Sequence, residues 1–218
     1  VTIGVGATLA ALCAPPLGKL AMQTGTVIMW ATELQPFLMG ILVSVFVGIA
    51  LTLPISSAAI CAALGLTGLA GGAAVAGCSA QMIGFAVQSY RENGVGGLLS
   101  QGLGTSMLQM PNIVRNPRIW IGPIFASAIT GPLATCVFKL RMDGAAVSSG
   151  MGTCGLVGQI GVFTGWISDM AAGTKAAITS FDWLGLLFIS FVLPAILSPI
   201  INQGCCRLGW VKNGDMKL

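Results

Sequence analysis

Histidine is absent from this sequence, tyrosine occurs once, and charge is scarce: ten Lys and Arg with six Asp and Glu make up 7% of 218 residues. A soluble domain carries about 25% charged residues, so a normal water-facing surface is excluded. Without histidine there is no imidazole to carry a phosphoryl group or act as a base, and no Cys/His zinc spacing. The seven cysteines (Cys13, Cys61, Cys78, Cys136, Cys154, Cys205 and Cys206) contain no CxxC pair. They read as small apolar residues of helices, with lipid modification at Cys205 and Cys206 as the alternative. Neither a nucleophile elbow nor a phosphate loop is present, since GVGGLLSQG lacks the Lys-Ser/Thr ending. No signal-peptide pattern is found. The net charge of +4 comes from dispersed basic residues between apolar runs, which fits membrane boundaries rather than nucleic acid. No polar segment is long enough for a soluble domain.

What remains is apolar. Hydrophobic residues make up 55% of the chain, mean hydropathy is +0.91, and there are 31 glycines. Residues 36–53, 119–138 and 183–203 are uncharged runs, and the first of them would reach roughly 27 Å as a helix. Residues 67–88 are long enough to cross but rich in glycine. Residues 1–14 end at Pro15-Pro16, 20–33 read as an interfacial helix, and 55–66 are too short to cross alone. The expectation is an all-α polytopic membrane protein of about six embedded segments, some broken or re-entrant. Residues 1–203 would form the transmembrane domain and 204–218 a cytoplasmic tail. The chain starts at Val1 inside an apolar stretch, so a preceding region is expected.

Residues 95–110 and 144–166 are uncharged and Gly-rich. Weak helices survive at membrane depth only when buried in protein or lining a watery cavity. Transporter sites are often built from such elements; close helix packing through small residues is the alternative. A faint internal echo links the segment from Gly65 to that from Gly150. The basic residues Arg207, Lys212 and Lys217 place the tail in the cytoplasm. Lys139 and Arg141 agree if 144–166 cross fully, which is the expectation. Arg91, Arg115 and Arg118 require a hairpin or an irregular crossing between them.

Five runs are more specific: MWATELQPFLMGILVSV, LTLPISSAAI, GCSAQMIGFAVQSYRENG, GGLLSQGLGTSMLQMPNIVRNPRIW and GTCGLVGQIG. Over residues 1–183 the chain resembles the membrane subunit IIC of sugar phosphotransferase systems, in the branch that includes perfringolysin-regulator-type proteins. The resemblance implies a permease that binds a sugar, moves it across the bacterial plasma membrane and presents it to a phosphorylated IIB subunit. Cytosolic IIA and IIB proteins, the sugar and membrane lipid are the partners it implies, with a homodimer as a candidate assembly. No cofactor or metal is expected, and phosphoryl chemistry must come from the partners. A secondary transporter or channel without phosphoryl coupling, and a membrane-bound regulatory sensor, are the alternatives.

Sugar hydroxyls are donors and acceptors at once, so amides and carboxylates suit them. Glu33, Gln81, Gln109, Asn112 and Gln159 are therefore expected to supply one solute cavity. Glu33 equally suits a helix N-terminus. Gln81 and Gln88 share a helical face with Gly77 and Gly84, serving either helix packing or a sugar-facing wall. Gln109, Asn112 and Asn116 flank Pro111, where capping or headgroup contact is the plainer role. Gln159 lies in an uncharged stretch where its amide needs a partner.

Overall fold

A computed structural model describes residues 35–218; Cys13, Glu33 and the expected elements 1–14 and 20–33 lie outside it. Nine helices organise the described residues: α1 (Pro36–Thr52), α2 (Ser57–Ala63), α3 (Gly68–Gln88), α4 (Tyr90–Leu99), α5 (Met110–Arg115), α6 (Pro117–Val137), α7 (Ala146–Ser149), α8 (Val157–Ala171) and α9 (Ser180–Arg207). No strand occurs among the described residues. Three helices, α3, α6 and α9, are long and apolar enough to cross a membrane. The chain is an all-α membrane protein.

The centre is α3. Its sequence GLAGGAAVAGCSAQMIGFAVQ is built of small residues, so neighbouring backbones approach it from every side. Its apolar stretch is 83% buried, against 33% for α9, whose large aliphatic and aromatic side chains face outward as lipid-facing residues do. α1 lies along α3 in the same direction, with Ser44 against Gly77 and Thr52 against Gln81. α6 runs back between them, pairing Ile119 with Gln88, Ser127 with Gln81 and Thr135 with Pro36. α9 runs with α3, from Phe138 at its start to Ser198 against Gly84. At Gly77 an added Cβ would collide with the Ser44 carbonyl, so glycine is required there.

α6 and α9 each contain a widened π turn, Leu133–Val137 and Phe188–Val192. Pro132 and Pro194 flank these turns and lack the N–H that a regular helix needs.

The bundle has two ends. The α3 N-terminus is tied to 138–143 by paired Gly68–Met142 backbone bonds, 3.0 Å each way, and 166–182 lie beside them. The other end holds the α3 and α9 C-termini, the start of α6 and the chain's last residues. Arg91, Arg118, Arg207 and Lys212 gather there.

The expected full crossing of 144–166 is corrected. Its arms lie against each other, Gly144 on Gly161 and Gly165 on Asp143, so both begin and finish at the first end. The turn between them is inside the bundle, where Gly152 touches Cys78 at the middle of α3 and Gly150 touches Ser57. Gly152, Gly155 and Leu156 have positive φ (53, 52 and 58°), which reverses the chain where a helix would have continued. The segment is re-entrant. Its likeness to the Gly65 segment therefore stays at the level of sequence, because the latter enters a straight helix.

Residues 89–118 enter from the opposite end. Gln88 Nε2 donates to Ile119 O at 3.0 Å, closing the mouth of that segment. Its middle, the π turn Ser100–Gly104, reaches Ile83 and Ala86. This is a hairpin, with Arg91, Arg115 and Arg118 on its outer side. The two hairpins meet beside α3, where Thr153 Oγ1 donates to Gly102 O at 2.6 Å.

Candidate functional site

Gln81 is fully buried and has every polar atom engaged. Its Oε1 accepts from Trp120 Nε1 at 2.7 Å and from Thr52 Oγ1 at 3.4 Å, and its Nε2 donates to Ser127 Oγ at 3.2 Å. Thr52 Oγ1 also lies 2.8 Å from Ser106 Oγ of the hairpin that follows α3. Ser44 Oγ donates to Ser127 O at 2.8 Å. Gln81 thus joins α1, α3, α6 and that hairpin.

Gln159 approaches α3 from the other side. Its Nε2 donates to Ser79 Oγ at 3.3 Å, while its Oε1 is buried with no donor among the described residues. Thr153, in the same hairpin, bonds Gly102 and lies 3.5 Å from Met82 Sδ. The mid-depth surroundings of Ser79–Met82 therefore contain amides, hydroxyls and the Gly102 turn carbonyl, with no charged group described among them. Such a set is uncharged, offers both donors and acceptors, and lacks a nucleophile–base pair.

Gln109 and Asn112 are brought together, with Asn112 Nδ2 donating to Gln109 Oε1 at 2.9 Å. They hold the last residues of the chain: Gln109 Nε2 donates to Met216 O and Asn112 Nδ2 to Lys217 O, each at 3.0 Å. Asn93 bonds Met216 O and the Leu218 amide, both at 2.8 Å, and Glu92 accepts from the Gly214 and Met216 amides, both at 3.0 Å. Asn116 Nδ2 reaches Trp210 O and Asp215 Oδ2. The expected tail is folded back against α4 and α5, with Val211 and Met216 packed into the cluster of Phe85, Ile113 and Ile119. The expected site residues thus occupy three places: Gln81 on the α1–α6 side of α3, Gln159 on the hairpin side, and Gln109 with Asn112 under the tail. Glu33 lies outside the described residues.

The Gln81 face of α3 continues to Gly84 and Gln88. Ser198 and Asn202 of α9 pack there, and the Ser198 Oγ, Gln88 Oε1 and Asn202 Oδ1 atoms are buried without partners among the described residues. Gln88 and Asn202 line a pocket of about 610 Å³ at the tail end. At the first end a smaller pocket of about 280 Å³ is lined by Lys139, Arg141, Trp166, Asp169, Lys175 and Asp182. Charges pair beside it, Arg141 with Asp143 and Lys175 with Asp182, each at 2.8 Å. The Asp143 carboxylate, as hydrogen-bond partner first and as charge second, raises the Arg141 pKa. Lys175 also caps the Trp166 ring at 5.0 Å.

Sequence reasoning missed Thr52, Ser79, Trp120, Ser127, Thr153, Ser198 and Asn202. Isolated hydroxyls in apolar runs read as packing residues, and only their convergence on the Gln81 side of α3 or at the hairpin turns marks them. The amide pair Gln81 and Gln88, seven residues apart, was the usable signal.

The family model described as phosphotransferase system, EIIC matches residues 1–218. No curated protein and no solved structure matches the chain.

Proposed function

The chain belongs to the phosphotransferase system EIIC family, the membrane permease component of sugar phosphotransferase systems, and from that premise we propose that it binds a sugar, carries it across the bilayer and releases it to a phosphorylated IIB partner. The observation that carries this reading is the meeting of two re-entrant hairpins at Gly102 and Thr153, with Gln81 and Gln159 on either side of α3. Irregular backbone at membrane depth is tolerated only where protein or a polar pathway satisfies it.

In this reading Gln81 and Gln159 are the sugar-facing amides, and Glu33 remains the acid proposed with them. Gln109 and Asn112 act on the pathway indirectly, through the tail they hold. The buried hydroxyls and amides exchange partners with the solute as the hairpins part, and the solute leaves along Gly84 and Gln88 towards the larger pocket. Clustering of basic residues at the tail end is the reason for assigning that end to the cytoplasm, where IIB acts. Loss of one buried partner of a sugar hydroxyl costs about 1–3 kcal/mol, roughly ten- to hundred-fold in affinity. Uptake of labelled sugars by cells expressing Gln159→Leu or Glu33→Gln tests the assignment. Strong loss with normal membrane insertion is expected, and normal uptake in both variants defeats it.

A further inference from the structure

We propose that residues 208–218 are a releasable strap, which locks the 89–116 hairpin to the end of α9 and must let go for a transport cycle to proceed. The release step rests on the transport reading above; the lock stands on geometry alone.

The strap begins at a built turn. α9 finishes at Arg207, and Gly209 follows with φ at 72°, the left-handed conformation that closes many helix ends. The Gly209 amide donates to Cys206 O at 3.0 Å and the Trp210 amide to Cys205 O at 2.9 Å, so the chain turns back across the hairpin. Asp215 closes a second turn, its carboxylate accepting the Lys212 amide at 2.8 Å.

Both arms of the hairpin then grip this segment. Glu92 and Asn93 belong to the arm that leaves α3, and Gln109, Asn112 and Asn116 to the arm that returns to α6. Their bonds to the strap all end on its backbone, except the one from Asn116 to the Asp215 carboxylate. Neither arm can leave α9 unless these bonds break. Gln109 carries the restraint inward, because its Nε2 also donates to Gln101 Oε1 at 3.0 Å. Gln101 adjoins Gly102, whose carbonyl accepts from Thr153 of the other hairpin. The strap is thus linked by two buried amides to the place where the hairpins meet.

What makes the strap releasable is how little it buries. Val211 and Met216 are its only buried residues, packed with Phe85, Ile113 and Ile119. The rest of the grip is hydrogen bonding beside water, which solvent replaces at small net cost. Segments with few buried apolar contacts open while the body of a protein stays folded. The strap also walls the tail-end pocket through Val211, Lys212, Asn213 and Met216, so its departure opens that pocket as it frees the hairpin.

Hydrogen exchange on the full chain in phosphatidylcholine nanodiscs tests the lock, read at amides 100–106 of the hairpin and at 72–82 of α3 as reference. Glu92→Gln and Met216→Ser should each speed exchange at 100–106 roughly tenfold and leave 72–82 within about twofold. Lys217→Ala should change neither, since Lys217 is held through its carbonyl. Unchanged exchange at 100–106 in both releasing variants, or a rise shared equally by 72–82, overturns the lock. Tethering tests the release. Asn93 Oδ1 accepts the Leu218 amide at 2.8 Å, so Asn93→Cys with Leu218→Cys, in a chain carrying Cys206→Ser, should form a reducible disulfide. Its failure to form under oxidation would show the strap to be elsewhere and overturn the proposal. Uptake of labelled glucose, mannose, galactose and N-acetylglucosamine is measured in proteoliposomes with IIA, IIB and a phosphoryl supply on the tail side. The oxidised chain should transport roughly tenfold or more slowly than the same chain after reduction, and equal uptake in both states overturns the release step. No uptake of any of these sugars by the parent chain sinks the transport reading together with the release step, while exchange still decides the lock.

Discussion

The two ends of the bundle meet the same problem, polar groups beside apolar helices, and solve it differently. At the first end four charges are paired, Arg141 with Asp143 and Lys175 with Asp182, and the Trp166 ring is capped, while Lys139 and Asp169 have no ion-pair partner among the described residues. At the tail end Arg91, Arg207 and Lys212 are without ion-pair partners among the described residues, and the Gln88 and Asn202 oxygens have no donors. Burying an unpaired polar group is costly unless something else compensates. The first end thus places more of its charge in ion pairs, while the tail end leaves its cations to solvent and two buried oxygens without donors among the described residues.

The strongest way to break this comparison is to remove the feature both ends depend on, the mid-depth turn. Gly152→Val adds side-chain atoms against Cys78 at a positive φ. Left-handed backbone costs about 1–2 kcal/mol and overpacking about 1–3 kcal/mol more. Thermal melting in detergent should show a loss of roughly 2–5 kcal/mol, and a variant as stable as the parent would mean that the hairpin turns elsewhere. Next in size is Gln81→Ala. Trp120 Nε1 loses its acceptor, at about 1–3 kcal/mol, and sugar uptake should fall roughly ten- to hundred-fold. Unchanged uptake would move the pathway off that face.

The tail itself sharpens the contrast. Glu92→Gln weakens the two amide-to-carboxylate bonds that seat Gly214 and Met216. A charged hydrogen bond contributes about 1.5–3 kcal/mol when shielded and less when exposed. Trypsin should cut at Lys212 several-fold faster in the variant, and an equal rate would show that Asn93, Gln109 and Asn112 suffice. The smallest effect belongs to the first end. Lys175→Gln removes one partly exposed ion pair and one cation–π contact, each about 1 kcal/mol or less. It should leave sugar uptake within about twofold of the parent; a tenfold loss there would erase the distinction between the ends.

Much of the scaffold was legible because its signals are local. Three apolar runs and the Gly-rich 67–88 segment were placed within a few residues, since length and absence of charge are read one segment at a time. The course of 144–166 was not legible. Whether a Gly-rich stretch crosses or turns back depends on the sign of φ at Gly152, Gly155 and Leu156, and glycine accepts either sign at little cost. Leu156, a residue that normally avoids positive φ, gave no warning. Gln109 and Asn112 read as members of a solute cavity or as capping and headgroup contacts, but the partners they hold lie about a hundred residues further on, in the tail. No local pattern announces such a pairing. The same holds for Gln88 and Asn202, which become a pair only when α3 and α9 finish at one end.

The central claim is that this chain carries sugar and leaves phosphoryl transfer to its partners. Its most direct test is accumulation of radiolabelled sugars by proteoliposomes containing the chain, with and without IIA, IIB and a phosphoenolpyruvate-driven phosphoryl supply on the tail side. The account predicts phosphorylated sugar inside only when chain and partners are present together, with no stable label on the chain itself. Free sugar accumulating without the partners, or stable phosphoryl label on the purified chain, would contradict it.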